Sequence, residues 1–393
     1  MKILVLSDHI SKDIKNGTWE FTYKFSKYAS EICDVSVVSF RPDDIPDAPD
    51  FEQDGNLKIF RLKNTVGIKH ELRKIDHDFV FIQTVKMFAV YMMSMGFKSK
   101  PIVSMVHGTE YLERLYSSGK KDLKYYALRI FDFYRIAKSD VLMFASKYMM
   151  DNSVRNYRAF RKSTYLPLGI DKPSNIAVPA EEKNIQKMIL GDIKSGYKIL
   201  FCIRRIVSRT GVLHLAEMMD LLRDKKAKLY IGGTGSHLEA LKRKVEELQL
   251  SDRVIVMGLI SDELKNWIYE KSYLSLVPTR TLEGFCLSML ESMNYGCPPV
   301  VTPVGGMYEF MKTNDLLELV TPGISAEQME KTVRELLDNS RMRDNYAKRC
   351  KTLSENYYYP EITKKFIKEI SYMLEKAGKS VNFKDEVDSA NIK

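Results

Sequence analysis

The chain has 393 residues, 45% of them apolar and 28% charged, and carries a formal net charge of +10. Such a length predicts two domains with a core each, and such a balance excludes a disordered or fibrous chain. The five cysteines form no CxxC pair and have no histidine at zinc spacing, which excludes a disulfide scaffold or a zinc finger and predicts buried thiols in a reducing, cytoplasmic compartment.

From the first residue, "MKILVLSDH" has one lysine and a short apolar run, which reads as a strand and not as a secretory leader. Short apolar runs recur at Ile3–Leu6, Val35–Phe40, Phe79–Gln83, Ile102–Val106 and Val141–Ala145. Helical spacing fills Glu20–Glu31 and Asp122–Ala137. The longest other apolar stretch, 87–97, is about half of the ~20 residues that span a bilayer. Charge is uneven over this half. Residues 1–54 hold six Lys/Arg against eleven Asp/Glu, and residues 114–162 hold twelve against four. A basic block of that kind suits nucleic acid, an anionic membrane or an acidic substrate, and equally a solvated face. The aromatics of "LKYYALRIFDFYRIAK" are spaced like the core face of a helix, with no stacking signature for RNA.

A stretch with two prolines and many charges, 172–196, reads as a linker. Beyond it the strand pattern resumes at Lys198–Ile203, Ala227–Ile231, Arg253–Met257, Tyr273–Val277 and Pro299–Thr302. Helices follow from about Ala326, and 381–393 reads as a polar tail. Strands alternating with helices predict two Rossmann-like, doubly wound α/β domains with parallel sheets. They cover residues 1–171 and 197–360. The segment 361–393 supplies a last helix, able to cross back to the first domain, and the tail. Tandem domains of this kind leave a cleft at the carboxyl ends of their strands.

Three motifs fall at such strand ends. After Ala227–Ile231 come Gly232, Gly233 and Gly235, with a helix expected from Ser236. Glycines there let backbone N–H groups approach an anion, although a tight strand-to-helix turn needs them too. The third glycine of a dinucleotide fingerprint is replaced by Leu238, and no acidic residue follows at ribose spacing. After Lys198–Ile203 come Arg204, Arg205 and Arg209, bidentate donors suited to a diphosphate. After Tyr273–Val277 comes "TRTLEGFCLSMLESMNYG". Gly284 keeps Glu283 in the loop, the helix starts at about Cys286, and Glu291 sits one to two turns in. The N–H groups of Phe285 to Ser288 then lie at a helix mouth where a phosphate is favoured. A carboxylate repels phosphate, so each glutamate is expected to accept from hydroxyls on one side of it. The pair would bracket a nucleoside diphosphate sugar.

At these residues the sequence resembles family 4 of the retaining glycosyltransferases, which have the two-domain GT-B fold. The resemblance rests on Glu283-x7-Glu291, Arg205, Arg209 and "PVVTPVGGMYEF". In the first half it rests on "MKILVLSD", the Asn16-Gly17 loop, "VSMVHGTEY", "SDVLMFAS" and "LPLGID". The resemblance implies that Arg205 and Arg209 bind the donor diphosphate, Glu291 the ribose and Glu283 the transferred sugar. It implies that Gly284, Phe285 and Cys286 hold sugar hydroxyls by their backbone, and that Leu287 and Ser288 hold phosphates. The glycine turn, Gly233 included, would belong to the donor site. Gly17 would let a loop close over the donor, and His107 would lie near the sugar on the acceptor side. Where the family has a lysine before its glycine, this chain has Thr210 before Gly211. Cys286 and Ser288 also replace commoner small residues.

Asp76-His77-Asp78 has the D-x-D spacing of the metal site in the other large glycosyltransferase fold. Here the strand follows the motif instead of leading into it, so it is read as a loop, with no metal and no cofactor required. The resemblance implies hexose transfer with retention from a nucleoside diphosphate sugar, UDP-glucose or GDP-mannose, to a hydroxyl on a glycan, glycoprotein or lipid-linked sugar. Residues 114–162 would then touch an anionic membrane from the cytoplasmic side, without nucleic acid. A nucleotide-sugar epimerase of the same fold, or a binding module for RNA or membrane, stays open at this point.

Overall fold

Runs of β-branched and aromatic residues that must be covered on both faces form parallel strands flanked by helices. The computed structural model describes residues 1–10, 17–41, 49–95, 100–108, 121–157, 162–174 and 177–379, with only the backbone at 124 and 154–157. Asn16, residues 109–120 and the tail 381–393 lie outside the described residues. Two units emerge, residues 1–169 with 359 onward and residues 170–358.

The first unit holds β1 (Lys2–Leu6), β2 (Asp34–Phe40), β3 (Phe51–Asp54), β4 (Leu57–Leu62), β5 (Phe79–Ile82), β6 (Ile102–Val106), β7 (Val141–Phe144) and β8 (Ser163–Tyr165). Their order is β3-β4-β2-β1-β5-β6-β7-β8, parallel except for the β3–β4 hairpin. Leu4, Leu6, Val80, Ile82 and Phe88 anchor one core cluster of this sheet. The last described helix, Tyr359–Lys376, packs on Gly17–Ala29, with Phe366 against Phe21 and Phe25 at 5.7 and 6.2 Å between ring centres.

The second unit holds β9 (Lys198–Ile203), β10 (Ala227–Gly232), β11 (Val254–Gly258), β12 (Leu274–Val277) and β13 (Pro299–Val301), all parallel in the order β11-β10-β9-β12-β13. The segment 172–196 differs from the linker expected of it. Its helix Lys183–Lys194 belongs to this unit, and Val178 and Ile189 are buried in its core. Prolines and surface charge masked an amphipathic face of Ile185 and Ile189. Glu182 accepts from the Ser261 backbone at 2.8 Å, just ahead of the helix Asp262–Lys271.

One other expectation changes. Of the described aromatics of the helix Leu123–Lys138, Tyr125 alone lies on its core face. That face is taken by Tyr125, Ile136 and a buried Arg135–Asp132 ion pair of 2.6 Å, which turns Ile130, Phe131, Phe133 and Tyr134 outward. The carboxylates of Asp76 and Asp78 are both engaged by Lys2, through its ammonium at 2.8 Å and its backbone N–H at 2.8 Å. This agrees with a loop that pins the start of β1. His77 between them is buried against Ile75 and Tyr91. All five cysteines are free and buried. Among the described residues no helix is long and apolar enough to cross a membrane.

Candidate functional site

In the second unit the chain runs from β9 outward through β10 to β11, then returns past β9 to β12 and β13. The direction of winding therefore reverses between β9 and β12, and the segments leaving those two strands line the crevice where such sheets bind ligands. The first segment carries Arg204, Arg205 and Arg209. The second carries Thr279 and Glu283 and leads into the helix Leu287–Asn294.

Arg204 ties the two segments together. Its side chain is 10% exposed, and its Nη2 donates to Glu283 Oε2 at 2.5 Å and to Thr279 Oγ1 at 3.1 Å. Its Nη1 donates to Cys286 Sγ at 2.6 Å and reaches Ser288 Oγ at 3.4 Å. Thr279 is fully buried, donates to the same Glu283 oxygen at 3.2 Å, and is itself fixed through its carbonyl by Thr302. Burial opposes the Arg204 charge, and the neighbouring Cys286 and Glu283 more than offset it, so its pKa is raised. Burial also pushes the Cys286 thiol up against the pull of Arg204.

The backbone around Glu283 is held as firmly as its carboxylate. Leu282 has φ +53°, a conformation that non-glycine residues adopt only where surrounding contacts impose it. Arg209 Nη1 donates to the Leu282 carbonyl at 3.3 Å. The Glu283 carbonyl accepts from Gly306 N at 2.9 Å, and a Cβ on Gly305 would stand 2.0 Å from that same oxygen. Gly305 of "PVGG" is thus required by the approach of the Glu283 loop.

Glu291 lies one turn into its helix and accepts from Lys265 Nζ at 2.8 Å, with the ammonium also 3.1 Å from Asp262. Both glutamates of the pair are therefore salt-bridged, each to a different cation. The helix begins at Leu287 with Cys286 as its N-cap and Phe285 and Gly284 just before it. Ser288 Oγ lies 3.2 Å from Cys286 Sγ.

Arg205, next in the chain, is exposed. Thr210, where the family has lysine, is buried and closes the turn by donating to the Arg205 and Val207 carbonyls at 2.6 and 2.8 Å. Gly233 and Gly235 back directly onto the arginine segment. Added Cβ atoms would lie 2.0 Å from the Arg204 carbonyl and 2.4 Å from the Ile206 carbonyl, and Gly233 N–H is already given to Gly258 O at 2.7 Å. The glycine turn thus serves close backbone packing that positions Arg204, and its helix starts at Leu238, two residues later than expected.

The remaining candidates lie in the first unit. His107, at the end of β6, meets Gln83 Oε1 through Nε2 at 2.7 Å and has the edge of Phe21 at 5.3 Å. Burial, aided by the positive charge of Arg135, lowers its pKa to about 3, so the ring is neutral at ordinary pH. Close by in sequence to these strand ends, Gln83 Nε2 and His9 Nδ1 are buried atoms without a hydrogen-bond partner among the described residues. Thr84 donates to Asp8 at 2.7 Å, tying the ends of β5 and β1. Gly17 is the exposed first residue of its helix, and a Cβ there would meet nothing within 4 Å.

Sequence reasoning placed Arg204 in the phosphate motif without foreseeing its pairing with Glu283, and it missed Thr279, Lys265 and Gln83.

Two facing properties of the chain, parallel α/β sheets in both units and a switch-point site in the second, define the class. The chain has the GT-B fold of glycosyltransferases. Within it, residues 186–353 match the family described as Glycosyl transferases group 1. Sucrose-phosphate synthase of Thermosynechococcus elongatus superposes with a TM-score of 0.80 at 16% identity, over 95% of this chain and 99% of that one. HepE of Anabaena, solved with UDP and glucose, gives 0.76 at 14% identity, over 95% and 100%. In sequence, poly(glycerol-phosphate) alpha-glucosyltransferase of Bacillus subtilis is 22% identical over 300 residues, 74% of this chain. That match spans 42% of the relative's own length.

Proposed function

We propose that the protein is a retaining, metal-independent hexosyltransferase that uses a nucleoside diphosphate sugar and an acceptor hydroxyl. The observation that carries the reading is the Arg204–Glu283 cluster at the switch point, set at the mouth of the helix that carries Glu291. A nucleoside diphosphate laid across that mouth puts negative charge where helix N–H groups and Arg205 and Arg209 can receive it. Its ribose would meet Glu291 and its sugar Glu283 and the backbone of 284–286, with Leu287 and Ser288 toward the phosphates. HepE was solved with UDP and glucose, and the Bacillus relative is named a glucosyltransferase, which favours UDP-glucose as the first donor to try.

Departure of the diphosphate is the costly event, and each donor aimed at the developing charge is worth roughly 3–4 kcal/mol. The arginines and the helix terminus perform that electrostatic task on this reading, with no divalent ion. Retention is proposed to follow a front-face course in which the leaving phosphate takes the acceptor's proton. His107, neutral, then serves the acceptor side as a hydrogen-bonding group and not as a cation. The orphan atoms of Gln83 and His9 suit hydroxyls of a glycan, glycoprotein or lipid-linked acceptor. Such an acceptor fits a cytoplasmic enzyme whose segment 114–162 touches an anionic membrane.

The test is a panel of nucleoside diphosphate sugars incubated with the protein and EDTA, read by release of free nucleoside diphosphate. Slow release from one donor supports the reading and names base and sugar. Conversion of the donor sugar without release would make the protein an epimerase. Silence across the panel, with no thermal stabilisation by any nucleotide, overturns the reading.

A further inference from the structure

The helix Leu123–Lys138 in the first unit is built inside out. Its inward face carries an ion pair, Arg135 with Asp132, whose side chains are 2% and 0% exposed. Its outward face carries Leu123, Tyr126, Ile130, Phe131, Phe133 and Tyr134, between 42% and 86% exposed. Positions 123, 126, 130 and 133 or 134 follow the three-and-four spacing of one stripe. Scattered exposed apolar residues are ordinary, but a continuous stripe of this size marks a surface that something covers.

Charge selects the occupant. Lys121, Arg129 and Lys138 are exposed beside the stripe, and Lys138 sits 5.8 Å over the ring of Tyr134. The helix's own acid, Asp132, is buried in its pair, and Asp122 is engaged as the N-cap, accepting from Tyr125 N at 2.9 Å. The exposed charge along the stripe is thus positive. A second copy of the chain docked face to face would bring these cations together. An anionic bilayer would instead neutralise them and take the tyrosine and phenylalanine rings at headgroup depth, where such rings are favoured. At 1.5 Å per residue, 16 residues make a rod of about 24 Å, suited to lying flat in the interface.

We propose that the helix Leu123–Lys138 is an interfacial anchor that seats the first unit on an anionic lipid surface, aromatic stripe inward and cations at the headgroups. This narrows the membrane contact of the functional reading to one face, and it does not depend on the donor site. The test uses the full chain and co-sedimentation with vesicles of phosphatidylcholine alone or with phosphatidylglycerol added. Binding is expected to be at least about tenfold stronger to the anionic vesicles and to weaken steeply with salt. The double variant Ile130→Ser with Phe131→Ser should lose about tenfold or more of that binding with its thermal transition unchanged, because both side chains are exposed. Arg129→Glu with Lys138→Glu should remove most of the salt dependence. Equal binding to both vesicle types, absence of binding, or variants that bind like the parent would overturn the anchor. A concentration-dependent dimer dissolved by the same double variant would overturn it in favour of self-association. Donor hydrolysis measured alongside keeps failure of the anchor separate from failure of the proposed reaction.

Discussion

Arg204 and Arg205 are neighbours in sequence with opposite surroundings, one buried among Glu283, Thr279 and Cys286 and the other in solvent. Period-two alternation lapses where β9 ends, so sequence could place arginines at the site without telling which one turned inward. The partner that decides it, Glu283, lies 79 positions away. Arg204→Ala would strand the Glu283 carboxylate in a buried position, at a cost of about 3–5 kcal/mol. A lowered melting transition of the second unit, together with reduced donor hydrolysis, is the expected outcome. Arg205→Ala removes an exposed side chain and should shift stability by less than about 0.5 kcal/mol, yet lower turnover roughly 10²–10³-fold if Arg205 receives the diphosphate. Near-normal turnover for Arg205→Ala would transfer that role to Arg204. His107 gives a pH prediction of definite sign. Its folded pKa of about 3 lies below its unfolded value near 6.5. Between those values the unfolded chain binds a proton that the folded chain refuses, so stability falls as pH falls and is level above 6.5. Melting temperatures of His107→Gln across that range should slope less than those of the parent.

At the scale of elements, ten strands were legible to within about a residue because each is a short apolar run, buried along most of its length in all but the half-buried edge strand β11. The β3–β4 hairpin was not, since β3 sits at the sheet edge with mostly exposed residues and therefore lacks an apolar run. Its signal was the turn "DGN", with Gly55 at φ +56° between the paired Asp54 and Leu57. The glycine turn after β10 shows the complementary failure. Its motif was visible, but the anion-cradle reading could not foresee that the arginine segment packs against it. Gly233→Ala should therefore act mainly on stability, because both its φ of +121° and the Arg204 carbonyl 2.0 Å from an added Cβ forbid the side chain. The expected result is a lower melting temperature of the second unit, with donor affinity falling as Arg204 is displaced. Unchanged melting with lost nucleotide binding would restore a direct phosphate role to that turn.

On the scale of the whole chain, the polypeptide leaves the first unit after Gly169, builds the second, and returns at Tyr359. Composition could suggest the return but not its consequence, which lies in what the final helix covers. Phe366 is fully buried against Phe21 and Phe25, Tyr359 stacks on Tyr28 at 5.8 Å, and Glu369 accepts from Thr164 at 2.6 Å on β8. Phe21 in turn lies against His107. A chain ending at 358 keeps every strand of both sheets yet uncovers this patch, and each large apolar side chain so exposed costs about 1.5–3 kcal/mol. The loss falls on the first unit alone, because the Arg204–Glu283 site and the Lys265–Glu291 pair are built within 170–358. Calorimetry of the truncated chain should show the first unit's transition lowered or absent and the second's retained. If the proposed donor site is right, nucleotide should still stabilise the second transition while transfer to acceptor is lost. A chain ending at 379 keeps the helix and should behave like the parent. Loss of both transitions on truncation at 358 would mean that the second unit cannot fold without the first.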